Sequence, residues 1–413
     1  MLRLPFIIRL AAAALAGAVL SGCVVQETRP LKRVEAKQAL QVIPDEQRLD
    51  VVVHAFDPGI PADSASDEDA LAKKRIYPDL RKAEARYFPV VLRNTLESSA
   101  QWGAVRVAPE TVRFVDLAVD GRIIESTGKR LELEITARDA SGRVWLDRKR
   151  YESEADIGSY KTDAALKARD PFQNVYSAIA NDLLEARNAL DAAALREVRQ
   201  VAQLSFAADL APEAMSGYLR TDSSSRKPLT RVVRLPARDD PLAGRVERIR
   251  ERDVAVIDTL DGYYTGFSEQ MQDSYGDFRR TSYEEIDKEE RARSSARTRT
   301  VLGAAAVLAS IFAPTDCNTQ ATCNLTDVAR YAGTVGGITA FLSGLKKYSD
   351  ARTHAMAFGE LARSMQSEVS EQVVEVEGRT LRLTGTAEEQ YRQWREMLRE
   401  YQAEEGLAGH GEP

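Results

Sequence analysis

Three cysteines, three histidines and a large set of carboxylates are the residues of this 413-residue chain whose chemistry could be put to use. His54, His354 and His410 lie far apart, and none stands at a spacing that ligates a metal or serves a nucleophile. No Gly-x-x-x-x-Gly-Lys-Ser loop is present. Gly333 and Gly337 follow no strand and lack an acidic partner, so the sequence calls for no nucleotide or other cofactor. Acid pairs such as Asp239-Asp240 and Glu284-Glu285 recur through a chain that is 29% charged, and they read as solvated surface rather than a hydrolase pair. Cys317 and Cys323, with five residues between them, sit in a polar stretch containing Asp316, Asn318, Thr319 and Asn324. In an oxidising compartment they are expected to form a disulfide, because two cysteines without nearby histidines fall short of a closed tetrahedral metal set. Cys23 stands apart from both, directly behind a small-residue pair and an apolar run.

That run decides what Cys23 does. Arg3 and Arg9 flank a short apolar start, and Leu10 to Leu20 carries no charge before Ser21-Gly22-Cys23. A dozen or so uncharged residues is well short of the roughly 20 needed to cross a bilayer, and small residues sit where a peptidase cuts, so residues 1–22 read as an export signal. Leu20-Ser21-Gly22-Cys23 resembles the lipobox of bacterial lipoproteins. The resemblance implies cleavage before Cys23, a thioether-linked diacylglycerol on its sulfur and a further acyl chain on the new amino terminus. Several chains together anchor stably where one does not. Val24 and Val25 follow the cysteine in place of the aspartate that in such families holds a protein at the inner membrane. The implied location is the outer membrane, facing the periplasm.

Taking Arg3 and Arg9 from 57 basic residues leaves 55 against 63 acidic ones, a net charge of about −8. A mildly acidic chain is a poor ligand for nucleic acid. The 391 of 413 residues that remain, with 44% hydrophobic content overall, suit more than one globular unit.

Residues 23–47 lack an apolar period and read as a tether. From Arg48, a β-branched run through Val51-Val-Val-His54 ends in Asp57-Pro58-Gly59, a buried strand stopped by turn residues. Helical spacing of Leu80, Ala83, Tyr87, Val91 and Leu92 follows, with Pro89 expected to kink or restart the helix. Trp102 to Pro109 is a second strand. Phe114–Glu125 and Arg130–Asp139 alternate at period two around Ser126-Thr-Gly128, and Val144–Tyr151 adds a third antiparallel strand. A helix from Pro171 to Leu195 closes the unit with a stripe of Phe172, Val175, Ile179, Leu183 and Leu184.

This β-α-β-β-β-α layout over residues 48–195 resembles the small periplasmic α/β domain of envelope lipoproteins, among them the curli-secretion lipoproteins and the lipoprotein activators of penicillin-binding proteins. The segments that carry the likeness are Leu117-Ala-Val-Asp-Gly-Arg-Ile-Ile and Leu131-Glu-Leu-Glu-Ile-Thr-Ala-Arg-Asp-Ala-Ser-Gly-Arg-Val-Trp145, with the closing helix. The resemblance implies a binding or assembly role, since that domain carries no catalytic residues in those families.

Residues 196–253 are charged and read as a connector, with Thr221 to Pro228 as an exposed loop. In 254–372, Val254, Ile257, Leu260, Tyr264, Phe267, Met271, Tyr275 and Phe278 recur every three or four residues, a long amphipathic helix. Two small-residue apolar segments, Val301–Ala313 and Tyr331–Leu345, then read as a helical hairpin, 301–345, in which Gly333 and Gly337 allow close helix packing. Each is shorter than a membrane span, which favours a buried hairpin stapled by Cys317 and Cys323 over membrane insertion or self-association. Residues 373–413 add a β-hairpin around Gly378 and a terminal helix striped by Tyr391, Trp394, Leu398 and Tyr401.

The expected fold class is therefore α+β: a small α/β domain with an antiparallel-rich sheet, then a mainly helical half with a small-residue apolar hairpin. The expected function is that of a non-enzymatic, lipid-anchored envelope protein that meets the membrane through Cys23 and binds an envelope protein or copies of itself. The alternative is a secretion or pore component working through 301–345. A cell-wall enzyme would need converging carboxylates and a nucleophile that the linear order does not reveal.

Overall fold

The computed structural model describes residues 32–64, 67–160, 169–223, 227–237, 239–311, 372–376 and 379–408. From Val34 onward the described residues belong to one compact unit, which is α+β. Its centre is a five-stranded sheet in the order β2-β1-β3-β4-β5, built from β1 (Val51–His54), β2 (Val105–Ala108), β3 (Leu117–Ser126), β4 (Arg130–Asp139) and β5 (Val144–Glu154). β1 runs parallel to both neighbours, which needs a crossover. α1 (Glu68–Lys73) and α2 (Pro78–Ser98) supply it before β2. All four residues of β1 are buried, as a parallel strand covered on both faces requires, whereas β4, antiparallel to both of its neighbours, alternates in burial. Pro89 lies inside α2 without dividing it.

Val51 and Val53 face one core, with Leu117, Val119, Leu131, Leu133 and Ile135 of the sheet. It is filled by Phe88 and Leu92 of α2 and by Val175, Ile179 and Leu183 of α3 (Gln173–Asn188). Val52 faces a second core, formed by Phe206 and Leu210 of α4 (Ala192–Leu210), Leu260 and Tyr264 of α5 (Pro241–Ile311), and Tyr391, Trp394 and Leu398 of α6 (Ala387–Ala408).

Three stretches depart from the sequence expectation. Within the tether, Val34 N–H donates to Asn174 Oδ1 at 2.9 Å, Lys37 N–H to Asn181 Oδ1 at 2.8 Å and Ala39 N–H to the Ser99 carbonyl at 2.9 Å. Amide side chains bind this backbone, and such pairing leaves no hydrophobic period to read. In the connector, Asp191 caps α4 by accepting from Ala194 N–H at 2.7 Å, and Leu195, Val198, Val201 and Leu210 are buried along it. The strands β6 (Leu219–Asp222) and β7 (Leu229–Val232) follow as a hairpin. α5 starts at Pro241 rather than Val254: Asp240 Oδ1 accepts from Leu242 N–H at 2.9 Å, and proline suits the first helical position. Near the C-terminus β8 (Gln372–Val376) and β9 (Arg379–Leu383) pair antiparallel, as the alternation suggested.

α5 is one helix of 71 residues, about 107 Å at 1.5 Å per residue. It covers the β2 edge, where Val107 N–H donates to Asp261 Oδ1 at 2.7 Å and Arg106 pairs with Asp258. Further on, Ile257, Leu260, Tyr264, Phe267, Met271 and Tyr275 are buried at the expected spacing. The β3–β4 turn then seats on it at Gly128, where a Cβ would collide with the Arg279 carbonyl oxygen and the Tyr283 backbone nitrogen. Replacing Gly128 by valine is expected to force turn and helix apart, an overpacking cost of about 1–3 kcal/mol. Thermal unfolding reads it: an unchanged midpoint would mean that the turn does not depend on the helix.

Candidate functional site

Glu84 and Asp253 are both carboxylates on the apolar stripe of a helix. Glu84 stands four residues after Leu80 and four before Phe88; Asp253 stands four after Ile249 and four before Ile257, and all four of these neighbours are buried. Helical periodicity therefore carries both acids into the interior with their neighbours. Their position on the stripe was the signal that a reading of acid pairs as solvated surface passed over.

Glu84 is 1% exposed. Its Oε1 accepts from Ser126 Oγ and from Tyr275 Oη, each at 2.7 Å, and Arg81 Nε stands 3.7 Å from Oε2. Burial raises the pKa of the Glu84 carboxyl, against the opposing pull of Arg81, the two hydroxyl donors and Arg279. Beside it, Arg279 Nη1 donates to Asp170 Oδ2 at 2.9 Å while its guanidinium lies 4.4 Å from the Tyr275 ring centroid. The cluster thus ties α2, the end of β3, the entry to α3 and the middle of α5.

Asp253 is 5% exposed and forms the second cluster. Its Oδ1 accepts from Trp394 Nε1 at 2.9 Å and from Tyr391 Oη at 3.2 Å, and Arg395 Nη1 lies 3.5 Å away. Burial raises the pKa of this carboxyl too, with Arg395 the largest opposing influence. Arg395 also pairs with Asp209 of α4 and stacks on Phe206 at 4.8 Å, so α4, α5 and α6 meet at one charge.

A third buried acid, Asp116, precedes β3. Its Oδ2 accepts from Asp50 N–H at 2.9 Å, with Arg199 Nε of α4 at 3.7 Å. Burial pushes its pKa up to about 6, the Asp50 hydrogen bond and Arg199 opposing.

A carboxyl with a raised pKa can serve as a general acid or base when substrate reaches it. These three are buried among side chains at seams between elements: Glu84 and Asp253 clamp α5 and α6, and Asp116 joins the start of β3 to α4. His54, expected as a strand residue, is one: its Nδ1 lies 2.7 Å from Asp120 Oδ1 and its Nε2 2.9 Å from the Val112 carbonyl. Among the described residues no group of three or more His, Cys, Asp or Glu is arranged to hold a metal. Cys23, Cys317, Cys323, Gly333 and Gly337, together with the expected hairpin beyond Ile311, lie outside the described residues. Of that hairpin's first segment, Val301–Ile311 continues α5 without a break.

Truncating Asp253 to alanine leaves Arg395 without one of its two acidic partners and Trp394 Nε1 without an acceptor. A loss of about 3–5 kcal/mol is expected, with hydrogen exchange rising in α6 ahead of the sheet. Uniform exchange across both would contradict the assigned role. For Asp116 the sign follows from its raised pKa. The native state holds the proton more tightly, so stability falls as pH rises from the unfolded value near 3.8 to about 6. Asp116→Asn should remove that fall, about 3 kcal/mol in all, in urea melts run across this window. An unchanged slope would mean that Asp116 is not the group responsible.

No family model, curated protein or solved structure matches the chain.

Proposed function

We propose that this chain is a lipid-anchored envelope protein without catalytic activity, held at the outer membrane through Cys23 and facing the periplasm, where it binds or assembles an envelope protein partner. Support for the anchor comes from Leu20-Ser21-Gly22-Cys23 behind an export-type segment. Support for a scaffold role comes from α5. Its side chains are gripped from Val246 to the ion pairs of Asp287, Glu289 and Glu290 with Lys129 and Arg75. Beyond Arg291 the helix runs 20 more residues, about 30 Å, into the small-residue segment from Val301. A helix that enters both cores and continues as unbroken backbone into the small-residue segment suits a brace for a partner-binding body better than one wall of a substrate cleft.

The same continuity favours a second reading, in which 301–345 multimerises as part of a secretion or pore assembly. No helix among the described residues is long and apolar enough to cross a membrane.

Mass spectrometry of the mature N-terminal peptide should find the acyl chains on Cys23, and Cys23→Ser should move the protein out of the membrane fraction. An unmodified thiol in a membrane-free protein would sink the anchor. Light scattering of the Cys23→Ser chain without detergent separates the two readings: a monodisperse monomer supports the partner-binding one, and a closed oligomer or a need for detergent supports the assembly.

A further inference from the structure

The hairpin of β6 and β7 opposes the charge of the rest of the chain. Within residues 219–235 the described charged side chains are Arg220, Lys227, Arg231 and Arg234 against Asp222, in a protein whose net charge is −6. Arg220 and Arg231 are direct cross-strand partners. Two like charges set opposite each other on one face of a strand pair are destabilising, so the hairpin's own pairing does not account for them. Arg231 Nη1 reaches Glu197 Oε2 at 3.0 Å, which seats the hairpin on the start of α4, and Thr230 N–H donates to the Ser141 carbonyl at 2.8 Å. The Arg234 guanidinium lies 4.3 Å from the Tyr218 ring centroid. Directly beside these cations, Val233 is 51% and Leu235 54% exposed.

Cations interleaved with exposed aliphatic side chains match a surface that is anionic at the headgroup and apolar just below it. We propose that the β6–β7 hairpin, through Arg220, Arg231, Arg234, Val233 and Leu235, docks on the phosphate headgroups of the membrane leaflet that holds the acyl chains. The choice of a membrane as occupant rests on the lipid-anchor reading of Cys23. Distance permits it. Val34 is fastened to Asn174 at the start of α3, a 16-residue helix about 24 Å long, and the chain passes from its far end into α4, whose Glu197 holds the hairpin through Arg231. An extended chain from Cys23 to Val34 reaches about 36–40 Å. The hairpin would thus fix the orientation of a body that a tether alone leaves free to tumble.

The test is co-sedimentation of the full mature chain carrying Cys23→Ser, so that no acyl chain contributes, with phosphatidylcholine vesicles with or without phosphatidylglycerol. Binding is expected only with phosphatidylglycerol and should be released by high salt. Replacing Arg220 and Arg234 together by glutamine should weaken it about 25-fold, at about fivefold per cation, without lowering the melting temperature. Val233→Ser with Leu235→Ser should weaken binding at low salt. Wild-type affinity in the arginine variant overturns the proposal, as does a hairpin that takes inorganic phosphate and leaves phosphatidylglycerol vesicles unbound. Failure of the anchor reading shows separately, as an unmodified Cys23 in the native protein.

Discussion

A carboxylate withdrawn from water loses hydration worth several kcal/mol unless the fold replaces it, and Glu84 obtains part of that replacement from elements far apart in sequence. Arg81 comes from its own helix, Ser126 from the end of β3 and Tyr275 from 191 residues downstream in α5. None of these partners can leave without stranding a buried charge, so the position of α5 over α2 and the sheet is determined as one arrangement. Asp253 repeats the logic on the other core, where Tyr391, Trp394 and Arg395 of α6 close over it. Apolar packing supplies most of the cohesion in both places. The ionic groups specify which helix face meets which partner.

The sheet shows why α5 must lie where it does. β2 is an edge strand, and an open edge invites pairing with other chains. Asp261 accepts from the Val107 backbone N–H, and Asp258 and Arg106 pair alongside. The opposite edge, β5, is managed differently: its register with β4 shifts near Ala137, Arg148 has a left-handed φ of 48°, and Arg148, Lys149 and Arg150 follow one another. The outward face of β4 and β5 carries Glu132 and Glu134 against Arg148 and Arg150, and the hydrogen bond from Arg148 holds the Glu134 carboxyl below its ordinary pKa. A solvated ion-pair lattice of this kind adds little stability and keeps an exposed sheet face soluble.

Much of this was legible in order along the chain. Period-two alternation located β3, β4, β8 and β9, and the stripe from Ile257 to Tyr275 placed the middle of α5, because each pattern records burial of one face of one element. The start of α5 was read late because Gly244, Arg245 and Arg248 thin the stripe before Ile249, although Asp240-Pro241 is a helix start signal. α4 was merged into the preceding helix and a connector, since Asn188 to Asp191 breaks the helix without glycine or proline. Residues 34–39 read as tether because their partners, Asn174 and Asn181, are polar and about 140 residues away.

By itself the sequence determined the apolar stripes of the strongly periodic elements and the class of each such element, and it supplied the pattern around Cys23 on which the proposed anchor rests, all of which depend on neighbours within a few turns or strand lengths. Only the tertiary structure decided that Glu84, Asp116 and Asp253 are buried junctions rather than surface acids, and that the basic hairpin at Arg220 and Arg231 stands beside Glu197 on α4. The physical reason is that a buried charge is tolerated only where several distant groups converge on it, and convergence is a property of the folded chain that no local spacing encodes.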